Sequence, residues 1–214
     1  PAALSTIVST TMVQRICEMN DVHFEATFTG FKFMAEKLAE YKAKGNYEYI
    51  LAFEESYGYM MGDYVRDKDA VTASMMAAEM AAYYYDRGMT LIDAIDELYK
   101  KYGYYSEETV NLFMYGVDGL GEMRALMASL RQTPPAEVGG TPVTRVRDYQ
   151  TGDVVIPGLG VVEKTPISGS NVLFFELSDG SALVVRPSGT EPKIKMYVLA
   201  RGASAGEAKA RKDR

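Results

Sequence analysis

Two short stretches of this chain, and one lysine apart from them, gather side chains able to do chemistry. The first is Arg186-Pro187-Ser188-Gly189-Thr190-Glu191-Pro192, followed by Lys193 and Lys195. Arginine carries a planar fork of donors that matches a phosphate bidentately. Ser188 and Thr190 add hydroxyl donors, and Gly189 would let consecutive backbone N–H groups curl around an anion. The same residue types are common in plain turns, so this stretch alone leaves both readings open. The second is Phe53-Glu54-Glu55-Ser56-Tyr57-Gly58. Adjacent carboxylates repel a phosphate but accept hydrogen bonds from hydroxyls, of which a sugar has several. A solvated acidic loop is the other reading. Lys32 follows Thr29-Gly30-Phe31 at the start of a helical pattern, where a cation opposes the helix dipole. It makes sense there if it serves a phosphate or a reacting hydroxyl; otherwise it is a surface lysine. Taken together, these residues point to a sugar phosphate, without separating an enzyme from a binding module.

The elements that must position them follow from hydrophobic period and punctuation. Residues 6–9 form a short β-branched run, and residues 12–19 carry Met12, Val13, Ile16 and Cys17 at helical spacing. Residues 23–29 alternate as a strand. A helix is predicted over residues 31–44, ended by Gly45-Asn46, and residues 47–53 form a nearly continuous apolar run. Such a run suits a central parallel strand buried on both faces, and it places Glu54 and Ser56 at the strand's carboxyl end, where open α/β sheets bind ligands. Asp69, closing Arg66-Asp67-Lys68-Asp69, caps a helix over residues 70–86, and Thr90 opens another over residues 91–101. The Met and Tyr residues of these two helices read as core. After Gly103 the order changes to short strands over residues 143–162, 171–177, 182–185 and 194–199. A helix over residues 123–130 precedes them, and an Asp179-Gly180 hairpin signal falls among them. Ser204 caps a last helix.

The fold expected is α/β plus α+β: a three-layer mixed α/β domain over residues 1–102 and a smaller antiparallel-sheet domain, packed by helices, over residues 103–214. A length of 214 residues suits two domains, and 47% hydrophobic with 24% charged residues is an ordinary folded composition. A net charge of −6 argues against non-specific nucleic-acid binding, and no apolar run approaches a membrane span. One cysteine, Cys17, and one histidine, His23, leave no zinc constellation and no Ser-His-Asp arrangement. Both are assigned structural roles. No metal site is expected in the chain, its ends look like cuts, and the absence of a signal peptide suggests a cytoplasmic protein.

In order and spacing, Thr29-Gly30-Phe31-Lys32, the Glu54 loop with Arg66-Asp67-Lys68-Asp69, and the Arg186 loop resemble the motifs of the α-D-phosphohexomutases. The Gly-Phe-Lys and Glu-Glu-Ser-Tyr-Gly variants are most similar to those of bacterial phosphoglucomutases. The resemblance covers essentially the whole chain and implies most of the third and all of the fourth of the family's four domains. It implies that Glu54 and Ser56 read sugar hydroxyls. By the same resemblance Arg186, Ser188, Gly189 and Thr190, with Lys195, hold the non-reacting phosphate, and Lys32 lies beside the reacting group. The implied activity interconverts glucose 1-phosphate and glucose 6-phosphate through a phosphoserine and a glucose 1,6-bisphosphate intermediate, with Mg2+. Phosphomannomutase, phosphopentomutase and a non-catalytic sugar-phosphate binding module are the alternatives. The family's Thr-Ala-Ser-His-Asn-Pro and Asp-Gly-Asp-x-Asp-Arg motifs do not occur in this sequence. The resemblance therefore places the serine and the Mg2+ site in N-terminal domains of the same chain, and implies that these residues alone are inactive.

Overall fold

Five buried residues, Ala2–Thr6 (β1), form the middle of the first sheet. Helix α1 (Met12–Met19) leads to β2 (His23–Thr27) on one side of β1. Helix α2 (Phe31–Lys44) then returns to β3 (Tyr49–Phe53) on the other side, and β4 (Tyr59–Met61) closes the order β2-β1-β3-β4. The first three strands are parallel and β4 is antiparallel. Right-handed crossovers running in opposite directions require α1 and α2 to cover opposite faces of the sheet. On the α2 side, Phe31, Met34, Leu38 and Tyr41 pack on Ala2, Leu4, Ala52 and Met60. The structure, a computed structural model, describes residues 1–116, 118–189 and 191–214 and divides into two compact units, Pro1–Gly103 and Tyr104–Arg214.

Three expectations for the first unit need correction. The first strand is Ala2–Thr6, and Ile7 and Val8 lie buried in the turn after it. Alanine and serine side chains are small enough for a strand enclosed on both faces, a signal weaker than a β-branched run. Strand β3 is not buried on both faces. The register shifts from Ala2↔Tyr49 to Ala3↔Leu51, which leaves Ile50 as the extra residue of a bulge, 49% exposed. Finally, α3 (Ala70–Tyr85) has no buried residue, so its methionines and tyrosines are not core. Its start is as anticipated, with the Asp69 carboxylate accepting the Val71 and Thr72 N–H groups. Apolar residues are spread around it without a single stripe, and its contacts are with β4 and with α4 (Leu91–Tyr102). A capping box between Thr90 and Asp93 opens α4.

The second unit is an antiparallel sheet with helices. In chain order its elements are β5 (Tyr104–Phe113), α5 (Gly119–Gln132), β6 (Glu137–Val138), β7 (Thr141–Asp148), β8 (Asp153–Ile156) and β9 (Gly160–Lys164). After these come β10 (Leu173–Leu177), β11 (Ala182–Pro187), β12 (Lys193–Gly202) and α6 (Ala205–Lys212). The sheet runs β5-β12-β11-β10-β7-β8-β9, with β6 paired to β7. This unit is the longer of the two. Met123 and Met127 of α5 pack on Val143, Val146, Leu173, Phe175, Val185 and Ile194, so alternate residues of β11 and β12 face α5. Arg131 fastens α5 to the end of β7 through Asp148, at 2.7 Å.

His23 stacks on Tyr47, with ring centroids 4.0 Å apart, and Cys17 is buried, which pushes its thiol up. Beside His23, Glu25 accepts hydrogen bonds from Tyr41 at 2.7 Å and from Lys37 at 2.5 Å. Burial alone would push the Glu25 carboxyl up, but the Lys37 and Tyr41 hydrogen bonds and the Lys37 charge bring it below the ordinary value of 4.5. A carboxyl lowered on folding stabilises the fold above its unfolded pKa and loses that contribution as pH falls through its folded one. Urea unfolding of the first unit should therefore show a midpoint that falls as pH drops below 4.5, more steeply in the natural protein than in Glu25→Gln.

Candidate functional site

The order β2-β1-β3 puts a topological switch point between the carboxyl ends of β1 and β3, the position where α/β sheets bind ligands. Residues 54–58 connect β3 to β4 there, closed by the Glu54 N–H on the Gly58 carbonyl at 2.9 Å. At their base, Phe53 and Tyr59 are ladder partners with their rings stacked. Each carboxylate of the loop has a partner. Glu54 accepts the N–H of Gly30, the N-cap of α2, where a negative charge is favoured by the helix dipole. Gly30 has φ 119°, a conformation that needs glycine. Glu55 turns the other way and accepts the hydroxyls of Thr6 at 3.2 Å and Ser9 at 3.3 Å, both buried at the end of β1. Ser5 adds a hydrogen bond to the Phe53 carbonyl at 3.1 Å.

Glu54 is thereby half-buried with one oxygen engaged, and Ser56 is exposed. A carboxylate has about four acceptor positions, so Glu54 keeps capacity for a ligand hydroxyl. The Glu54–Gly30 contact also brings the Thr29–Lys32 segment to this loop. Lys32 is exposed on the first turn of α2, its ammonium 4.7 Å from the centre of the Phe33 ring, and no carboxylate among the described residues pairs with it. Gly58 packs so closely on Phe31 that a Cβ would lie 2.5 Å from Phe31 Cε2. Sequence reasoning read Glu55 with Glu54 as an acceptor for sugar hydroxyls, whereas Thr6 and Ser9 occupy it here, and it assigned no role to Tyr57, Thr6 or Ser9. The hydroxyl pair does lie at a strand end, but its carboxylate partner is dozens of residues away.

In the second unit, β11 and β12 pair so that Arg186 lies directly opposite Lys195, and Lys195 in turn opposite Asn111 of β5. This row is on the sheet face away from α5. The Arg186 guanidinium, half-buried, donates to the Tyr197 hydroxyl at 3.4 Å, and neither Arg186 nor Lys195 has a carboxylate partner among the described residues. Like charges directly across a ladder destabilise a sheet by up to about 1 kcal/mol, a cost that an anion between them would remove. The turn beyond is closed by the Ser188 N–H on the Lys193 carbonyl at 2.8 Å, and the Ser188 Oγ accepts the Glu191 N–H at 3.3 Å. Gly189 is exposed, with nothing within 4 Å of the position of a Cβ. Its φ is not in the left-handed range, so that freedom does not shape the loop. Thr190 lies outside the described residues. Lys193 pairs with Glu191 at 2.6 Å, which removes it from the set of free cations.

The first unit is thus a mostly parallel α/β unit with hydroxyl acceptors at its switch point, and the second is an antiparallel-sheet unit that carries two opposed cations. Residues 1–102 match the phosphoglucomutase/phosphomannomutase alpha/beta/alpha domain III, and residues 139–213 match the phosphoglucomutase/phosphomannomutase C-terminal domain. The chain belongs to the phosphoglucomutase/phosphomannomutase family. It is 34% identical over 195 residues to a phosphoglucomutase of Staphylococcus aureus strain bovine RF122 / ET3-1, covering 91% of this chain and 35% of that protein. It is 33% identical to the phosphoglucomutase of strain N315 over the same share. Among solved structures, the open form of pp63/parafusin, a phosphoglucomutase from Paramecium, covers 99% of this chain with a TM-score of 0.63 at 18% identity, using 37% of its own length. The chain thus spans about a third of the length of the relatives it matches.

Because the Gly58–Phe31 contact is steric and Phe31 is buried, Gly58→Ala should destabilise the first unit by about 1–3 kcal/mol. Thermal unfolding followed by circular dichroism measures it, with Gly45→Asn, at an open left-handed helix cap, as the mild comparison.

Proposed function

We propose that this chain is the sugar- and phosphate-recognition part of a phosphoglucomutase that interconverts glucose 1-phosphate and glucose 6-phosphate. The carrying observation is the cross-strand pair Arg186–Lys195, two cations opposed without a carboxylate partner among the described residues. In this reading Arg186 forks onto the non-reacting phosphate, Lys195 neutralises it, and Ser188, Gly189 and Thr190 complete its shell. Glu54 and Ser56 accept ring hydroxyls. Lys32 is the catalytic candidate, with an exposed ammonium able to stabilise charge on the reacting group. The domain roles follow: residues 1–102 recognise sugar and residues 103–214 recognise phosphate.

The reaction needs a phosphoryl donor, which we place on a phosphoserine in N-terminal domains of the parent chain, with glucose 1,6-bisphosphate as the intermediate. That intermediate must be held in two opposite orientations. A charge clamp and a few hydroxyl acceptors can serve both, since neither requires one shape. Magnesium, when bound in such enzymes, offsets phosphate charge. Among the described residues no three His, Cys, Asp or Glu side chains gather to hold a metal ion. No helix among the described residues is long and apolar enough to cross a membrane, and the lone buried cysteine suits a reducing cytoplasm.

The test is an NMR titration of the chain with glucose 1-phosphate, glucose and inorganic phosphate. Glucose 1-phosphate should bind more tightly than either part. Arg186→Ala should weaken it about 10-fold to 100-fold, the worth of a charge-assisted hydrogen bond. Arg186→Lys should restore only part of this because the fork is lost. Equal affinity in the natural chain and Arg186→Ala would sink the proposal.

A further inference from the structure

Tyr57, at the tip of the loop after β3, has φ 68° and is 90% exposed. Left-handed backbone is costly for a bulky side chain. The other non-glycine residue with positive φ among the described residues is Asp21, a type that tolerates it. The conformation is imposed from both sides. Glu55 is tied to Thr6 and Ser9, Gly58 is wedged against Phe31, and the Glu54 N–H to Gly58 carbonyl bond closes the loop. With the loop held at Glu55 and Gly58, Tyr57 faces solvent, and its ring makes no stack, cation contact or hydrogen bond among the described residues. Neither burial nor pairing explains it, and strain held by surrounding structure collects at functional positions.

The geometry points to Tyr57 as a specificity-determining contact to the sugar, a role that rests on the function proposed above. A hexose offers hydroxyls at its rim and C–H groups on its faces. Glu54 and Ser56, in the same loop, supply acceptors for the first. An exposed aromatic ring supplies the apolar surface that the second would bury, with few rotatable bonds to order and a hydroxyl left at its wet end. Holding the loop backbone before binding removes the cost of ordering it then. On this account Glu55 is a positioning residue, since it holds the loop and leaves the sugar to its neighbours.

The experiment uses the 214-residue chain and four forms of it: natural, Tyr57→Asn, Tyr57→Gly and Tyr57→Phe. Asparagine and glycine both accept left-handed backbone, so each keeps the turn and deletes the ring. NMR titration should show glucose 1-phosphate binding weakened about tenfold in Tyr57→Asn and Tyr57→Gly, with inorganic phosphate binding unchanged. Tyr57→Phe should bind the sugar phosphate nearly as the natural chain does. Melting temperatures of the asparagine and glycine forms should equal or exceed the natural one. Unchanged glucose 1-phosphate affinity in both, or an equal loss of inorganic phosphate binding, overturns the role of Tyr57 and leaves the proposed function standing. A natural chain that binds neither ligand overturns both.

Discussion

The carboxylate of Glu54 on the Gly30 N–H joins two segments that are far apart in sequence, and the first unit's candidate site depends on that contact. It sets a negative charge at the positive end of α2, where the dipole and an open N–H both favour it. Glycine at position 30 permits the turn into the helix, Phe31 follows as the first helical residue, and its ring closes on Gly58. Lys32 is thereby carried to the loop that holds Ser56 and Tyr57. A helix start and a strand end, each ordinary alone, become one assembly because an acceptor and a donor satisfy each other there.

Helices were more legible in the sequence than strands, for a physical reason. Residues 12–19 and 31–44 carry their apolar stripes at helical spacing, and Asp69, Thr90 and Ser204 announce helix starts through side chains that accept backbone N–H groups. Those signals are local. The strand errors all involve partners elsewhere. Ala2–Thr6 is a central strand because two neighbours enclose it, and Ile50 bulges because β1 slips by one residue against β3. The exposure of α3 is also invisible locally, since an alanine- and methionine-rich helix looks the same whatever covers it. At the candidate sites, residue types were readable and pairings were not. Arg186 and Lys195 belong to a turn-linked pair of strands in the sequence, but only the register makes them opposite.

That register matters against the electrostatics of its unit. Five arginines of the unit are matched: Arg131 with Asp148, Arg145 with Glu163, Arg147 with Glu176, and Arg211 and Arg214 with Asp179. In a chain with net charge −6 there is no shortage of carboxylates. What sets Arg186 and Lys195 apart is that two cations without a carboxylate partner among the described residues stand directly opposite each other, which raises the potential where a doubly charged phosphate would gain most. Partial burial of the guanidinium strengthens the effect by lowering the local dielectric.

On the proposed function, the two units meet the recognition problem with different physics. The first presents acceptors and one exposed ring, whose value depends on direction and distance, and it holds their loop with hydrogen bonds on both sides. The second presents charge, whose value falls slowly with distance and tolerates small displacements. Under that proposed function, a substrate held in two orientations needs both properties: a clamp indifferent to which end carries the phosphate, and a few directional contacts that still tell one sugar from another. On the proposed function, rigidity belongs with the sugar loop, because discrimination among sugars comes from hydroxyl positions. The phosphate loop can rely on charge, because every substrate of the class brings the same phosphate. The strain at Tyr57 and the charge opposition at Arg186 and Lys195 are then different devices: the first is kept on binding and holds the loop ready, and the second is a local instability that a phosphate would relieve.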